Sequence, residues 1–536
     1  MSTPTSILDH SAFLALFARE NPARKPGERL LVPVFRRLFD DTLTPVLAYR
    51  RLVRPDARMA PSFLFESVEG GGDRGARAGR FSFMGTTPMA EVLAYGQKME
   101  WRNHENPAQS KKWECADPLA EVPKLTAQMR PLSLGDAARG LPEFTGGWVG
   151  FAGYDTVRYL ESEKLGPGPK DDRHLPDIHL QLYLDLVAFD HVQKTVLVIT
   201  HAVIEDGVSA SDAWNKAHAR LEALVARLTT PWSSGARREE LPAGHVDLSA
   251  PPPQLPTSNL GEGGYQQAVL KAKEFIGAGD IFQVVPSQRF SLSTKADPFD
   301  IYRALRVVNP SPYMVYLQIE GGMLVASSPE ILCRVKDGEV TNRPLAGTRK
   351  RGATAAQDAA LEAELKGDPK DRAEHIMLVD LGRNDVGRVA SPGTIQTPHL
   401  LVVERYSHVM HLSSTVTGRL RPGTTSWDAL RVALPVGTVS GAPKVRAMQI
   451  IDDLETVKRG PYAGAIGHAD LNGNMDMAIA LRTMVVLPAA DGYWRVDLQA
   501  GAGIVEASDP DAEHQETVNK AAALAKAVDL AEKAFV

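Results

Sequence analysis

Two pairs of carboxylates stand at the spacing of one helical turn. Asp371 and Glu374 are three residues apart, and so are Glu513 and Glu516. An i,i+3 pair projects from one face of a helix, so two such faces opposed would place four carboxylates around one point. Mg²⁺ prefers carboxylate and water oxygens, and a magnesium site is therefore one interpretation. The other is that acidic residues favour first helical turns for dipole reasons alone, and spacing does not decide between the two.

Two glycine-rich loops resemble anion-binding loops only in part. The segment 437–444 (GTVSGAPK) ends in Lys444, but this lysine neither follows a glycine directly nor precedes a Ser or Thr, so the Walker pattern fails. Gly501-Ala502-Gly503 opens like a dinucleotide loop, yet Glu506 holds the position of the third glycine. What remains is that glycines let backbone N–H groups approach an anion, or simply that each loop is a tight turn.

Three single residues have types suited to chemistry. Glu330 follows Ser-Ser-Pro at the end of a predicted strand, and His411 lies in the strand-like segment VMHLSSTV. Either fits an ordinary structural position as well as a catalytic one. Arg482 lies among apolar residues in MAIALRTMVV, and a buried guanidinium needs an anionic partner. That partner is either a structural carboxylate or the carboxylate of a substrate.

Composition excludes several classes of protein. The 536 residues are 43% hydrophobic and 23% charged, which excludes wholesale disorder, and the net charge of −5 shows no basic domain for nucleic acid. Two cysteines cannot build a disulfide framework or a cysteine-rich zinc site, and no GxSxG nucleophile motif occurs. The apolar stretch 11–18 is too short for a signal helix, and no run reaches the length of a membrane span. We expect a soluble, cytoplasmic protein.

The elements that position these residues are of mixed type. A Pro- and Gly-rich connector, 229–264, divides an N-terminal part, 1–228, from a C-terminal part, 265–536. Runs of strands with helices between them favour an α+β fold over regular βαβ alternation. The patterns predict a β-hairpin over 179–200 around 190–194, one strand over 281–292, strands over 313–319 and 323–327, a hairpin turn at 337–338, and helices over 211–228, 265–278, 369–381 and 510–534.

The same segments, in this order, resemble the chorismate-utilising enzymes. The resemblance covers nearly all of 265–536, and this many ordered motifs make it specific. It implies one large α+β body in which two antiparallel sheets pack together with helices outside. The motifs are GDIFQVVPSQRF (279–290), NPSPYMVYL (309–317), ASSPE (326–330), RPLAGTRKRG (343–352), AEHIMLVDLGRND (373–385), VMHLSSTVTG (409–418), VGTVSGAPKVRAM (436–448), PYAGAIG (461–467), DMAIALRTMV (476–485), QAGAGIVEASDP (499–510) and EHQETVNKA (513–521).

Three features narrow the resemblance within the family. Gln283 stands where isochorismate and salicylate synthases carry a water-activating Lys, which points to ammonia as the nucleophile. Ala346 stands where many 4-amino-4-deoxychorismate synthases carry a nucleophilic Lys. The segments 43–52 (LTPVLAYRRL) and 63–85 (FLFESVEGGGDRGARAGRFSFMG) resemble tryptophan-sensing motifs. Together they indicate the branch that makes anthranilate. The alternatives are the large subunit of a 4-amino-4-deoxychorismate synthase and a non-catalytic module that binds tryptophan or chorismate.

The resemblance also implies roles for single residues. Mg²⁺ would have Glu374 and Glu516 as its nearest ligands, with Asp371 and Glu513 acting through water. Asp371 replaces the usual Glu of the family, and its shorter side chain argues against direct coordination. Glu330 would protonate the leaving C4 hydroxyl, which requires a raised pKa, and His411 would assist loss of the C2 proton and pyruvate. Further site residues are Thr438 for catalysis and Gln283, Gly347, Thr348, Tyr462, Arg482, Gly501, Ala502, Gly503 and Lys520 for substrate binding.

Regulation and partners follow from the same resemblance. Tryptophan would inhibit by binding at Glu66 and Ser67 together with 312–314, that is Pro312, Tyr313 and Met314. Ammonia would come from glutamine. Because neither Cys115 nor Cys333 lies in a glycine-flanked nucleophile turn, a separate glutamine amidotransferase subunit is implied, and a heterotetramer is the expected assembly. Neither nucleic acid nor a membrane is an expected partner.

Overall fold

A computed structural model of the chain describes residues 9–54, 59–67, 79–135, 140–230, 233–234, 237–238, 246–405 and 409–534. Within the predicted tryptophan-sensing segment 63–85, residues 68–78 lie outside the described residues. The same holds for residues 231–232, 235–236 and 239–245 of the predicted connector.

Most helices begin where the sequence provides a capping side chain. Asp9, Thr44, Ser209, Thr354 and Asp368 each accept a hydrogen bond from a backbone N–H of the first turn that follows. No helix among the described residues combines the length and the apolar character needed to cross a bilayer. The helices are α1 His10–Glu20, α2 Pro45–Leu52, α3 Pro118–Leu125, α4 Val157–Leu160, α5 Ala210–Thr229, α6 Gly264–Gly277, α7 Pro298–Val308, α8 Ala355–Gly367, α9 Pro369–Gly387, α10 Ser426–Ala433, α11 Lys444–Leu454 and α12 Pro510–Ala534.

The strands alternate with these helices irregularly, as expected for an α+β protein. They are β1 Arg29–Leu38, β2 Ser62–Glu66, β3 Phe81–Thr86, β4 Ala90–Tyr95, β5 Lys98–Asn103, β6 Lys111–Glu114, β7 Met129–Pro131, β8 Gly147–Ala152, β9 Ile178–Tyr183, β10 Leu186–Asp190, β11 Thr195–Ile204, β12 Ser233–Ser234, β13 Arg237–Arg238, β14 Gln283–Val284, β15 Ser287–Thr294, β16 Tyr313–Ile319, β17 Gly322–Ser328, β18 Ile331–Lys336, β19 Glu339–Asn342, β20 Leu345–Lys350, β21 Gln396–Arg405, β22 Val409–Arg419, β23 Gly441–Ala442, β24 Ala465–Asp470, β25 Met475–Ile479, β26 Thr483–Pro488 and β27 Trp494–Gly501.

Two large sheets contain most of these strands. Within the described residues, the first has the order β15-β27-β26-β17-β16-β2-β3-β10-β11-β1-β7. The second has the order β20-β22-β19-β18-β25-β24-β8-β9-β4-β5-β6, with β21 paired to β22. Neighbouring strands run antiparallel except for β1 and β7. Each sheet has one seam where strands from the two sides of the connector meet, β2 with β16 in the first and β8 with β24 in the second.

Three large clusters of apolar side chains form most of the core of the described residues. Side chains of both sheets, including Phe63, Phe151, Leu317 and Ile466, form the cluster between the sheets. The outer face of the first sheet packs against α1, α2, α5, α7 and α12. The outer face of the second packs against α3, α6, α9, α10 and α11. Helices therefore lie outside two packed sheets, and the predicted fold class is confirmed.

The sequence patterns located most elements but not the sheet to which each strand belongs. The segment 179–200 was expected to be a single hairpin; β10 and β11 do pair across 190–194, but 179–183 belongs to β9 in the other sheet. The predicted strand 281–292 is interrupted at Val285 and Pro286, because the Val285 amide donates to Ser440 and Pro286 has no N–H. The helix expected over 369–381 continues to Gly387. The hairpin turn at 337–338 and the helices over 211–228, 265–278 and 510–534 are confirmed.

Candidate active site

A continuous set of contacts joins residues from distant segments beside the second sheet and α12. The links are Thr438 with Glu330, Thr348 and Gly347 with His411, Gly347 with Asp371, Gln283 with Glu374 and Gly503, and Gly501 with Tyr462 and Lys520. Three further interactions join these groups: the Leu345 amide donates to Glu330, the charges of Asp371 and Glu516 act on Glu374, and Glu516 pairs with Lys520. Most residues that the sequence singled out for catalysis and substrate binding therefore lie in one region.

Glu330 is a buried carboxyl group between β17 and β18. Its Oε1 accepts hydrogen bonds from the Thr438 hydroxyl at 3.0 Å and from the Leu345 amide at 3.4 Å. Burial raises the pKa of Glu330 to about 8, and the two hydrogen bonds oppose that rise only in part. A carboxylic acid that keeps its proton at neutral pH is suited to general acid catalysis.

This raised pKa predicts a pH dependence of stability that Glu330→Gln should remove. Because the pKa rises from 4.5 to about 8, the stabilisation due to the neutral carboxyl is fully present below pH 4.5 and lost as the pH approaches 8. The free energy of unfolding should fall by about 1.4 kcal/mol per pH unit in that window. Urea unfolding at pH 5.5 and 8 gives the free energy of unfolding of both proteins. The value for Glu330→Gln relative to that for the wild type should be higher at pH 8 than at pH 5.5. A difference between the two proteins that does not change with pH would contradict the expectation.

His411 lies on β22 with one ring nitrogen held by the neighbouring strand. Its Nδ1 is 3.2 Å from the Gly347 carbonyl oxygen and 3.0 Å from the Thr348 hydroxyl. Burial lowers the pKa of His411 to about 4; the hydrogen bond to Gly347 opposes this effect, and the positive charge of Arg482 adds to it. The imidazole is therefore neutral, and since a carbonyl only accepts, Nδ1 donates to Gly347. Nε2 is then the nitrogen able to accept a proton.

Gln283 and Gly503 shape the part of the site beside α9. The Gln283 amide nitrogen donates to Glu374 at 3.1 Å, while its Oε1 is buried with no hydrogen-bond partner among the described residues. A Cβ on Gly503 would lie 2.5 Å from the Gln283 amide nitrogen, so a side chain at this position would displace that amide. The unpaired Oε1 is an acceptor that a donor on a ligand could satisfy.

The four predicted magnesium ligands are only partly brought together. Burial raises the pKa of Glu374, the Gln283 amide opposes this, and Asp371 and Glu516 raise it further, so these three carboxylates act on one another. Asp371 is paired with Arg349 at 2.9 Å, and Glu516 with Lys520 at 2.7 Å. In the part of the chain that the structure describes, no three acidic, histidine or cysteine side chains are close enough to form a metal site.

Oxygen donors of this kind nevertheless fit Mg²⁺, which usually keeps several waters and takes few protein ligands. A divalent cation would also relieve the repulsion that raises the pKa of Glu374. Glu513 lies in the first turn of α12, three residues before Glu516, and its charge acts on Tyr265.

Arg482 provides a cation without a neutralising carboxylate. It lies between β25 and β26 at a φ of 47°, and its guanidinium donates to the Asn309 side-chain oxygen at 3.4 Å. Burial lowers the pKa of Arg482, and no acidic group among the described residues offsets that effect. A guanidinium in this state is suited to bind the carboxylate of a ligand.

The segment 501–503 lines the site with backbone. A Cβ on Gly501 would lie 2.6 Å from a carbonyl oxygen and 3.2 Å from the Tyr462 hydroxyl. Burial raises the pKa of Tyr462 to about 12, so the phenol is neutral and able to donate. The Ala502 amide donates to the Tyr265 hydroxyl at 3.1 Å, and Lys520 donates to the Gly501 carbonyl at 2.9 Å.

The residues expected to sense tryptophan lie at the seam of the first sheet. Glu66 pairs with Met314 across β2 and β16, and its buried carboxylate binds Tyr302 at 2.7 Å and Arg306 at 2.7 Å. The Ser67 hydroxyl is buried with no hydrogen-bond partner among the described residues. The neighbouring Pro312 is partly buried, and the Tyr313 hydroxyl donates to Asp476 at 2.8 Å, away from Glu66.

Asn309 and Tyr265 are site residues that the sequence patterns missed. Asn309 connects Arg482 to the Ser327 hydroxyl, and Tyr265 connects Ala502 to the Pro286 carbonyl. Asn309 stands first in the NPSPYM motif, so its position was noted but not its contact. Tyr265 fell within the apolar stripe of a predicted helix, where an aromatic residue ordinarily packs in the core.

Comparison with known proteins places the chain in a family. The family described as chorismate binding enzyme matches residues 61–526. The chain belongs to this family of chorismate-binding enzymes, and the resemblance found in the sequence is confirmed.

Several similar proteins bear the name anthranilate synthase. Anthranilate synthase alpha subunit 2 of Arabidopsis thaliana, named chloroplastic, is 50% identical over 97% of this chain and 84% of its own length. Anthranilate synthase component 1 of Pseudomonas aeruginosa is 43% identical over 94% of this chain and 96% of its own length. The solved structure of anthranilate synthase component I from Streptococcus pneumoniae TIGR4 is 35% identical and superposes with a TM-score of 0.69 over 91% of this chain and 99% of that chain.

A solved structure from another branch shares the fold alone. The menaquinone-specific isochorismate synthase MenF of Escherichia coli is 19% identical, with a TM-score of 0.64 over 97% of this chain and 100% of that chain.

Proposed function

We propose that this chain is the chorismate-converting component I of an anthranilate synthase. It joins ammonia to chorismate and yields anthranilate, pyruvate and water. The observation that carries the proposal is Glu330, a buried acid with a pKa of about 8, together with Arg482, a guanidinium whose charge acts on His411 and which no carboxylate among the described residues neutralises. The relatives' shared name supports the choice of product.

The chemistry follows from what each group can donate. Ammonia forms a bond to C2 of chorismate while the C4–O bond breaks, and hydroxide is a poor leaving group unless an acid supplies a proton. Glu330 supplies that proton, so the group leaves as water. The C2 proton is then lost, the C3–O bond breaks and pyruvate is released from an aromatic ring. His411, whose imidazole is neutral with Nε2 unprotonated, assists that elimination.

The remaining residues bind and orient the substrate. Arg482 and Tyr462 hold the enolpyruvyl carboxylate, and the backbone of 501–503 with Gly347 and Thr348 lines the ring. Gln283 directs its unpaired Oε1 toward an N–H of ammonia. Lys520 meets a carboxylate. A bound Mg²⁺ would supply positive charge for the ring carboxylate, and Glu374 and Glu516, with Asp371 and Glu513 through water, are the residues that would hold it.

Ammonia comes from a separate glutamine amidotransferase. Glutaminases of this type need a reactive thiolate, and burial raises the pKa of both cysteines, that of Cys333 to about 12. Neither thiol is therefore suited to attack glutamine. The expected assembly is a heterotetramer of two such pairs. We propose the cytoplasm as the location, because two free cysteines suit a reducing compartment. The plant relatives are named chloroplastic.

One assay tests the function and separates it from the alternatives. Purified protein would be incubated with chorismate and Mg²⁺, once with an ammonium salt and once with glutamine, and anthranilate fluorescence followed. We expect product with ammonia and none with glutamine. Chorismate consumption without anthranilate would indicate a 4-amino-4-deoxychorismate synthase. Binding of chorismate or tryptophan without turnover would indicate a non-catalytic module.

Tryptophan regulation gives a further expectation. We expect Ser67→Arg to weaken inhibition by tryptophan by at least about tenfold with little change in kcat, because the new guanidinium fills the space at the unpaired hydroxyl and pairs with Glu66. The measurement is the tryptophan concentration that halves the activity. Ser293→Arg, on the exposed side of β15, is the matched control. Unchanged inhibition in Ser67→Arg would remove these residues from the tryptophan site.

A further inference from the structure

A fully buried ion pair lies behind the candidate active site. Glu455 follows the last residue of α11, and Arg459 lies four residues later; their side chains are 4% and 2% exposed. The guanidinium donates to the carboxylate through Nε at 3.0 Å and through Nη2 at 2.5 Å. The rings of Tyr154 and Tyr462 stand 4.6 and 5.7 Å from the guanidinium carbon. No predicted role was attached to this pair.

The remaining bonds of the pair go to three other segments. Arg459 donates to the Val439 carbonyl at 2.7 Å and to the Val285 carbonyl at 2.6 Å. Glu455 accepts from both the amide and the hydroxyl of Ser287 at 2.8 Å. Since all donor nitrogens of the guanidinium have a protein partner, Arg459 does not itself meet substrate.

Two of these segments carry a residue of the candidate site, and a third site residue contacts the pair directly. Val439 follows Thr438, whose hydroxyl donates to Glu330. Val285 follows β14, where Gln283 binds Glu374. Tyr462 contacts the guanidinium directly with its ring. The pair thus fixes the backbone beside Thr438 relative to the backbone beside Gln283.

A buried ion pair is weak evidence for stability, because the cost of desolvating two charges offsets much of their attraction. A planar guanidinium, in contrast, holds two carbonyls and a carboxylate in one fixed arrangement, which neither an apolar side chain nor an ammonium reproduces. The main effect of the ion pair is therefore to fix the relative positions of these backbone segments, and its contribution to the stability of the fold is small.

We propose that Arg459 and Glu455 are positioning residues for ammonia addition: they hold the 437–439 turn, and with it Thr438 against Glu330, in register with Gln283. This inference rests on the proposed function. It predicts that substitution of Arg459 has the same effects as removal of the Thr438 hydroxyl, although the hydrogen bond of Arg459 in this turn goes to Val439 and not to Thr438.

The test compares Arg459→Lys, Thr438→Val and the double variant. Lysine keeps the charge but cannot reach both carbonyls and the carboxylate together. We expect Arg459→Lys to lower kcat by up to about 10²-fold. The alkaline limb of the pH profile of kcat/KM for chorismate, at constant unprotonated ammonia, should move to higher pH in both single variants. The reason is that the Thr438 hydrogen bond lowers the pKa of Glu330. The double variant should be little worse than either single one.

Arg158→Lys is the matched control. Arg158 also pairs with carboxylates, Asp155 and Asp452, and donates to the Gly166 carbonyl, and Asp452 lies on α11 as well. The segments that contain these partners include no residue of the candidate site. This variant should therefore lose stability without a change in the pH profile of kcat/KM.

Three outcomes are informative. If Arg459→Lys only melts at a lower temperature, with the wild-type pH profile and additive effects with Thr438→Val, the pair is merely structural and the inference is wrong. If Arg459→Lys does not fold, Glu455→Gln, which keeps the shape and removes the charge, decides by the same readouts. A wild-type protein that makes no anthranilate from ammonia would instead refute the proposed function.

Discussion

Replacing Glu330 with glutamine is expected to lower kcat for anthranilate formation by about 10²–10⁴-fold, the range that a positioned general acid contributes. Glutamine keeps the shape of the side chain and can still accept from Thr438, but it has no proton to give to the leaving hydroxyl. Chorismate binding should stay close to the wild-type value because residue 330 is uncharged at pH 7 in both proteins, as a protonated carboxyl or as an amide. Anthranilate fluorescence gives the rate, and a chorismate-induced thermal shift gives the binding.

The control for this prediction is Glu339→Gln, an exposed position on β19 in the same sheet. It should keep both rate and binding. Loss of chorismate binding together with turnover in Glu330→Gln would mean that the buried carboxyl is structural.

The second large effect is expected from Arg482→Gln, which should weaken chorismate binding by about 10²–10³-fold, as for loss of one partner of a buried charge pair. The guanidinium is partly buried, and among the described residues no carboxylate neutralises it, so a bound carboxylate would meet an uncompensated positive charge. The dissociation constant of chorismate, measured by titration without ammonia, is the direct readout.

Arg482→Lys separates charge from geometry in this prediction. It keeps the charge but loses the planar fork, so its affinity should fall between those of the wild type and Arg482→Gln. Arg421→Gln, on the surface, is the control for loss of one positive charge. A fall in kcat with unchanged binding in Arg482→Gln would place this residue at the chemistry and not at the carboxylate.

Local signals in the sequence were sufficient where one segment decides its own structure. α12 begins at Pro510 as predicted, because a capping Asp and a Pro are both local features. The strands of 178–204 show the limit: apolar runs indicated strands, but nothing within the run shows that β9 pairs with β8 and β10 with β3. Which sheet receives a strand depends on partners far along the chain.

The candidate site shows the same division. Ordered motifs named Glu330, His411 and Arg482, yet the raised pKa of Glu330 depends on burial by distant segments and on Thr438, 108 residues away. Asn309 and Arg459 were missed because a hydrogen bond to a side chain or a carbonyl leaves no periodic trace in the sequence. Glu455 and Arg459 have the i,i+4 spacing of an ordinary surface pair, and only their burial distinguishes them.

The two seams between the halves have a consequence for synthesis of the chain. The strands β2 and β8 find their partners β16 and β24 only about 250 and 320 residues later, and pairings this distant in sequence form slowly. When the first 228 residues have left the ribosome, both nascent sheets still present an open strand edge, a known site of aggregation. The residues proposed to sense tryptophan lie on one of these edges, so the proposed regulatory site forms only after the C-terminal part has been made and β16 has paired with β2. We therefore expect a free fragment of residues 1–228 to bind no tryptophan and to expose two unpaired strand edges.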